Sequence, residues 1–532
     1  MKNLRAYRPD WEGWPLLLLL VFLCMREVTD PDIWFYLVVA RETLAIGQLP
    51  TQEFYIYPAL GEAGHFSAWG FGILHVLADR LAGLPGMSIL NGLLCGGALW
   101  LLMRAIRVAV PREISTALLL APIAVAYAIA SFRMVYRPET TLFLFMAIEI
   151  LLLERWLADA KIGRLAWIPL LALIITQLHT TAILLWLIFL AYAAHWIIRS
   201  IPNTRRAGDF PWPTLAWLAA SGIATAVLPI LNPYGTRQLL LLVQSALGDM
   251  GGNVEFLPVM QTDYRLPFLL LAALVAVAWL VNPARRIVDA ILLIAFGALA
   301  FRYARNLGLF ALIAVLPLGL SLASPALSRS WKRVAGPRIV AALALVGMVV
   351  TSQQSGVWGS GVDQDAFPVV GAQRIRAVTT GGNVLNFFHL GGYLAWQLGT
   401  GYRVAMDGHF VRPTRADPYH DALFRADSGW ERQLWRDQVV AVVTPSTLPH
   451  SGGRIPLVER LAESPDWQLV AVEPAGLTFV PRHLATATPS IAKSEIWRQA
   501  LRELDEVVKT NPDPAQAVAT RAWVMDRLAL SQ

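Results

Sequence analysis

The sequence predicts a polytopic α-helical membrane protein with a C-terminal soluble α/β domain and a short helical tail. Hydrophobic residues make up 56% of the 532 residues, and the mean hydropathy is +0.50. Apolar runs recur through the first 352 residues, whereas the rest alternates short apolar runs with polar and glycine-rich breaks. The excess of lysine and arginine behind the net charge of +7 lies before residue 353. Basic loops in that part orient membrane helices, so the charge does not indicate nucleic-acid binding.

The first 352 residues divide into twelve apolar runs. Several are shorter than the ~20 residues that span a hydrocarbon core of ~30 Å. Short or broken helices predict a polar cavity within the membrane part, because irregular backbone at that depth must line protein or water. The runs lie at about 14–25, 66–82, 87–103, 115–131, 139–153, 165–178, 181–198, 214–231, 267–281, 287–301, 307–323 and 338–352.

Lysine and arginine predict the orientation of these runs. The N-terminal arm carries Lys2, Arg5 and Arg8, which favours a cytoplasmic start. Keeping the other basic loops inside places the loop around Asp30 and the segment after Ser352 outside. This arrangement needs an odd number of crossings, so we expect about 11 transmembrane helices, with one run in the region 66–131 not crossing. The other basic loops lie at 155–164, 199–206, 285–286 and 329–338.

The predicted domains follow this division. Residues 1–352 form the membrane domain, with an external first loop at 26–65. Residues 353–490 form a soluble extracytoplasmic α/β domain, and residues 491–532 form a helical hairpin. Within the soluble domain, the sequence predicts a helix over residues 421–437. Short strand-like runs with polar or Gly/Pro breaks lie at 383–387, 402–406, 439–443 and 469–472.

Two aspartates, Asp30 and Asp32, stand where the first apolar run leaves the membrane. Two carboxylates spaced by one residue can hold a divalent cation such as Mg²⁺ or Mn²⁺, or one can accept a proton while the other tunes it. The alternative is a helix stop followed by an Asp-Pro turn. Both interpretations stay open on this motif alone.

The residues after Asp32 predict an amphipathic helix on the outer membrane surface, which ends at Gly47 with Pro50 beyond it. This stretch resembles the first external loop of GT-C membrane glycosyltransferases, which include lipid A 4-amino-arabinose transferases and protein O-mannosyltransferases. Asp32, Arg41, Glu42 and Gly47 stand at the matching positions. Other phrases that resemble the bacterial members are Tyr136-Arg137-Pro138, Gln177-Leu178-His179, Asn232-Pro233-Tyr234-Gly235, Arg302-Tyr303-Ala304-Arg305-Asn306, Gly391-Gly392-Tyr393 and Met406-Asp407-Gly408-His409.

The resemblance implies a glycosyltransferase in the inner (cytoplasmic) membrane. It would take a sugar from a polyprenyl-phosphate carrier and pass it to a glycan, lipid or protein acceptor at the extracytoplasmic face, among membrane lipids. Asp32 is the candidate general base, and Asp30 its partner or a metal ligand. No nucleic-acid partner is expected.

The carrier phosphate requires positive charge at the outer face. Arg302 and Arg305 are candidates because the predicted topology places them outside, against the positive-inside trend. Snorkelling toward lipid headgroups is the alternative for both. His65 falls near a phosphate-binding lysine of the lipid A enzymes. Further candidates to line the cavity are His179, Arg137 and Tyr36. Many bacterial relatives have a histidine shortly after the aspartates, and Tyr36 lies near that position in this sequence.

Other interpretations remain. A transporter or flippase for lipid-linked glycans would show related halves, which the sequence lacks. A catalytically silent scaffold of an envelope-glycan assembly is a third possibility. The Asn232–Gly235 phrase predicts a turn that ends a helix. The Gly391–Tyr393 and Asp407–His409 phrases predict tight backbone corners or residues that face the acceptor, and we favour corners.

Overall fold

The computed structural model describes residues 13–110, 114–201, 211–238, 240, 256–323, 336–354, 358–409, 416–486, 488–511 and 513–531. The chain forms two compact units. The membrane unit comprises residues 1–28 and 77–361, and the loop–tail unit comprises residues 29–76 and 362–532. The basic arm at residues 2–8 and the basic residues at 205–206 and 329–333, used above for orientation, lie outside the described residues.

Long helices dominate the first 354 residues. Among the described residues, five helices are long and apolar enough to cross a membrane, namely α3, α4, α7, α8 and α11 with their adjoining turns, and four shorter apolar helices accompany them. The expected total of about 11 crossings stays a prediction. The helices are α1 (Gly13–Leu23), α2 (Asp32–Ile46), α3 (Trp69–Ala109), α4 (Thr116–Ala130), α5 (Glu139–Asp159), α6 (Trp167–Leu178), α7 (Ile183–Ser200), α8 (Trp212–Val227), α9 (Arg265–Val281), α10 (Ile287–Arg302), α11 (Leu307–Leu322) and α12 (Gly336–Gln354).

Helix α3 joins two of the predicted apolar runs. Its 41 residues would extend about 60 Å if the helix were straight. The backbone leaves helical geometry at Ala82 and Gly83, where Gly83 has φ 63°, and Pro85 follows. This break lies in the gap between the runs at 66–82 and 87–103, so glycine and proline explain the interruption.

Arg26 anchors the end of α1 inside the membrane unit. Its guanidinium is fully buried and donates to the carbonyls of Leu23 at 3.0 Å and Met25 at 3.2 Å. It also donates to the Tyr127 hydroxyl of α4 at 2.8 Å and the Ser352 hydroxyl of α12 at 3.3 Å. The orphan carbonyls at the end of α1 are therefore satisfied by one cation that also holds two other helices.

The loop–tail unit is built on a five-stranded sheet of order β2-β1-β3-β5-β4. Strand β1 lies parallel to β2 and β3, whereas β3 pairs with β5, and β5 with β4, in antiparallel fashion. The four strands predicted from the sequence are confirmed, and the sequence reading missed β5. The strands are β1 (Gly382–Asn386), β2 (Tyr402–Val404), β3 (Val439–Thr444), β4 (Trp467–Glu473) and β5 (Gly476–Pro481).

Helices surround this sheet. The helix predicted over 421–437 is wrong in its continuity, because Gly429 at φ 88° separates two short helices. The predicted terminal hairpin is present as α18 and α19, which pack on each other. The helices are α13 (Val369–Val378), α14 (Gly391–Leu398), α15 (Ala416–Phe424), α16 (Trp430–Arg436), α17 (Pro456–Glu463), α18 (Ser494–Thr510) and α19 (Ala515–Leu530).

The first loop folds with the tail rather than apart from it. Val404 of the edge strand β2 donates its N–H to the carbonyl of Tyr55 at 2.9 Å, and Ile56 forms a parallel bridge with Val404. The loop thereby covers part of a sheet edge that would otherwise expose unpaired backbone groups. Residues 29–76 and 362–532 consequently share one unit.

Candidate functional site

The aspartate pair opens helix α2. Asp30 is buried, and its Oδ1 accepts the N–H of Asp32 at 2.9 Å. This contact satisfies one of the orphan donors at the helix start. Asp30 therefore has a local capping role, while the half-buried Asp32 is the first helical residue. A Cβ added to Gly408 would lie 2.8 Å from Asp32 Oδ1, so the Asp32 carboxylate lies directly against Gly408.

Packing of α2 against α14 fixes the position of Asp32. A Cβ on Gly392 would lie 3.0 Å from the Phe35 nitrogen and 3.1 Å from Trp34 Cβ, so glycine allows the two helices to approach closely. The Trp34 ring packs edge-on against Tyr393, with centroids 5.1 Å apart. Gly391 and Gly392 are thus helical contact residues, and the corner predicted there is wrong.

The middle of α2 is buried within the protein on nearly every side as far as Ala40, and its location at the outer membrane surface stays a prediction. Its end does follow the prediction, since Gly47 has φ 74° and donates its N–H to Thr43. Arg41 donates to the carbonyls of Trp396 and Ala395, each at 3.0 Å. It therefore caps the last turn of α14 and holds the two helices together.

A buried polar network lies on both sides of Gly408. His409 Nδ1 contacts Asp407 Oδ1 at 2.6 Å, and His409 Nε2 forms an ion pair with Glu53 Oε2 at 3.1 Å. The Tyr55 hydroxyl donates to Asp407 Oδ2 at 2.5 Å. Side-chain exposures of 6% for His409, 2% for Asp407 and 1% for Glu53 keep these charges away from water. We call these four residues the His409 network.

The electrostatics of this network are set by its two carboxylates. Burial alone would lower the pKa of His409, but Asp407 and Glu53 raise it to about 10, so the imidazole is a cation at neutral pH. Burial, Asp407 and Glu53 raise the pKa of Tyr55 well above its usual value, so its hydroxyl stays a donor. Glu53 Oε1 also accepts the N–H groups of Phe54, Tyr55 and Ile56, each at 2.9 Å.

A second polar centre lies in the membrane unit. Arg133 binds Glu139 Oε2 through Nε at 2.7 Å and through Nη2, and Arg305 donates to Glu139 Oε1 at 2.7 Å. Arg137 and His179 lie within electrostatic range of the same carboxylate. Two guanidinium groups therefore bind one buried carboxylate, and further cationic side chains lie near it. We call this set the Glu139 centre.

Three of the sequence candidates thus meet in one place. The Arg305 guanidinium lies over the Phe256 ring, 4.9 Å from its centroid, and keeps 28% of its side chain exposed. His179 is buried, and its Nδ1 accepts the Thr181 N–H at 3.0 Å. Because this nitrogen accepts a backbone proton, the Nε2 position carries the proton of a neutral ring.

The remaining candidates lie elsewhere. Arg302 is exposed at the end of α10, with its guanidinium over the Tyr303 ring at 4.5 Å, an arrangement that fits an interface anchor. Tyr36 is half-buried and packs edge-on against Phe71, with centroids 5.4 Å apart. His65 is half-buried in the loop that follows the bridge between Gln52 and Ala63.

A cavity of about 180 Å³ lies among α6, α7, α8 and the turn that follows. The predicted turn is confirmed, since Asn232 Oδ1 accepts the Tyr234 N–H at 2.8 Å. Thr176 and Thr225 on the cavity wall donate their hydroxyls to carbonyls of their own helices, at 2.7 Å each. These two hydroxyls are therefore engaged within their own helices.

The described residues contain no group of three His, Cys, Asp or Glu side chains arranged to hold a metal ion. Asp30 and Asp32 alone offer two carboxylates, and Asp30 Oδ1 already accepts a backbone proton. These residues fit a divalent cation only if substrate oxygens complete its coordination, as carrier phosphates do for Mg²⁺ in other enzymes.

Sequence reasoning missed the residues that hold these centres together. Glu53, Tyr55 and Glu139 stand in no motif that the sequence singled out. For the Asp407–His409 phrase the sequence favours a backbone corner, whereas the structure places both residues in the His409 network. The signal for this network was the pair of charged residues flanking a glycine, because a charged side chain that is buried requires a partner.

Neither a comparison with models of known protein families nor one with curated protein sequences finds a match. Solved structures do resemble this chain. The archaeal oligosaccharyltransferase AglB from Archaeoglobus fulgidus, solved with an inhibitory peptide and a dolichol-phosphate, is similar with TM-score 0.55 and 11% identity, over 88% of this chain and 74% of that one.

Two further structures show the same fold. ArnT from Cupriavidus metallidurans has TM-score 0.56 and 15% identity, over 90% of this chain and 98% of that one. The mycobacterial arabinofuranosyltransferase AftD has TM-score 0.53 and 15% identity, over 90% of this chain and 42% of that one. All three are GT-C glycosyltransferases, and this chain has the GT-C membrane fold.

The charge on His409 predicts a pH-dependent stability. Its folded pKa of about 10 exceeds the unfolded value of about 6.5, so its stabilising contribution is complete below pH 6.5 and is lost as the pH rises toward 10. The thermal unfolding temperature of the detergent-solubilised protein should fall over this range more steeply than that of His409→Gln. Equal pH dependence in both proteins would contradict a buried imidazolium.

Proposed function

We propose that this chain is a glycosyltransferase that moves a sugar from a polyprenyl-phosphate carrier to an acceptor at the extracytoplasmic face of the cytoplasmic membrane. One observation carries the proposal: a half-buried carboxylate, Asp32, begins helix α2 and is held against Gly408 in a chain with the GT-C fold. The sugar, the carrier length and the acceptor, whether glycan, lipid or protein, are left open.

In the proposed reaction Asp32 accepts the proton of the acceptor's nucleophilic group. That group forms a bond to the anomeric carbon of the donor sugar while the bond from this carbon to the phosphate oxygen breaks. The electron pair of the broken bond leaves with the polyprenyl phosphate. Asp30 supports Asp32 by capping the helix start through the 2.9 Å contact with its N–H.

The departing phosphate gains negative charge, which positive side chains stabilise. The Glu139 centre supports this assignment better than Arg302 does, because it gathers several cationic side chains and because the Arg305 side chain stays partly exposed. The planar guanidinium of Arg305 can donate two hydrogen bonds to the oxygens of a phosphate. A divalent cation held by Asp30 and Asp32 would supply further positive charge; the steps above do not depend on it.

Replacing Asp32 tests the base. Asp32→Asn should lower sugar transfer by about 10²–10⁴-fold, because an amide cannot accept the acceptor's proton. The fold should persist, since the cap from Asp30 to the backbone N–H of residue 32 is unchanged. Transfer from a radiolabelled polyprenyl-phosphate sugar and the amount of extractable protein are the measurements.

Asp30→Asn is the matched control, because asparagine keeps an oxygen that can accept the same N–H. A small loss is expected. An equally large loss that added Mg²⁺ or Mn²⁺ relieves would indicate a metal pair instead. Normal transfer by a well-folded Asp32→Asn protein would contradict the proposed function.

Replacing Arg305 tests the phosphate site. A charge-assisted hydrogen bond is worth about 1.5–3 kcal/mol. Arg305→Gln should therefore weaken donor binding by roughly 10- to 150-fold, at 1.4 kcal/mol for each factor of ten. Arg302→Gln removes an exposed arginine stacked on Tyr303 and should leave donor affinity unchanged. Donor binding measured for both proteins decides the assignment, and the reverse ranking would overturn it.

A further inference from the structure

The structure places one glycine between the proposed base and the buried network. Gly408 stands between Asp407 and His409, and both neighbours belong to the His409 network. A Cβ at Gly408 would lie 2.8 Å from Asp32 Oδ1 and 3.9 Å from Phe388 Cζ. The space beside Gly408 is therefore filled by the Asp32 carboxylate.

The backbone around Gly408 is held from both ends. Asp407 accepts the Tyr55 hydroxyl through Oδ2, while its Oδ1 accepts the His409 N–H at 3.1 Å. His409 reaches the opposite carboxylate of Glu53, which three consecutive backbone N–H groups fix in turn. The short segment 407–409 is thus anchored to the first loop as well as to the tail.

We propose that the His409 network is a positioning device for Asp32, with Gly408 as the surface that sets where the Asp32 carboxylate lies. This inference rests on the proposed function, in which Asp32 is the base. The four network residues act through the 407–409 backbone rather than on the substrate, because their polar groups are buried and engaged with one another.

Positioning matters because a general base must lie about 2.6–3.2 Å from the atom whose proton it accepts. A misplacement of about 1 Å can cost a factor of about 10² in rate. Gly408 lies directly against the Asp32 carboxylate and therefore limits the arrangements that the carboxylate can adopt. A change in that contact should appear in the rate of the chemical step.

Gly408→Ala tests this directly. The added methyl group would lie 2.8 Å from Asp32 Oδ1 and displace the end of that side chain, and the substitution removes no charged group. We expect kcat to fall by about 10- to 100-fold, with an unchanged KM for the polyprenyl-phosphate sugar and an unchanged unfolding temperature. Gly347→Ala in α12 is the control, because no atom lies within 4 Å of the added carbon.

His409→Gln is the second variant, and the exposed His450→Gln is its control. We expect the same fall in kcat at constant KM for His409→Gln, and no change in either constant for His450→Gln. Wild-type kcat in Gly408→Ala, or a loss accompanied by a raised KM or a lowered unfolding temperature in that variant, would overturn the positioning role. The Asp32→Asn protein is assayed in parallel. If it retains transfer, the proposed function fails; if it is inactive while Gly408→Ala is normal, only the present inference fails.

Discussion

The loop–tail unit depends on one buried cation held between two carboxylates. His409 contacts Asp407 at 2.6 Å and Glu53 at 3.1 Å, and the three side chains are almost completely buried. Removing a single partner from such an arrangement leaves an uncompensated buried charge, which is far more costly than replacing the whole set. The network therefore commits the first loop to one arrangement on the tail.

In the membrane unit the charges are reversed: a buried carboxylate is held between cations. Glu139 is the buried carboxylate there, and Arg133 and Arg305 bind one oxygen each. Arg26 provides a related anchor at the end of α1, where a cation satisfies carbonyls that the helix leaves unpaired. In both units, the side chains that hold the fold together also make up the polar centres.

Local patterns in the sequence predicted much of this fold. The strands β1 to β4, the stop of α2 at Gly47 and the terminal hairpin follow from alternation, glycine placement and amphipathic spacing over a few residues. The His409 network could not be predicted in this way, because Tyr55 and Asp407 are 352 positions apart. Similarly, the sequence selected Arg305, His179 and Arg137 one by one, while their association around Glu139 required the packing of α5 with neighbouring elements. Positive φ angles at Ala426 and Gly429 divide a segment whose sequence pattern predicts one continuous helix.

The central claim is that this chain transfers sugar rather than moving or scaffolding a lipid-linked glycan. The most direct measurement follows a radiolabelled polyprenyl-phosphate sugar in membranes that contain the protein and in matched membranes without it. We expect label to leave the carrier and appear in a new covalent product, with free polyprenyl phosphate formed in equal amount, only where the protein is present. Label that stays on an intact carrier and merely changes leaflet would contradict sugar transfer and indicate a flippase.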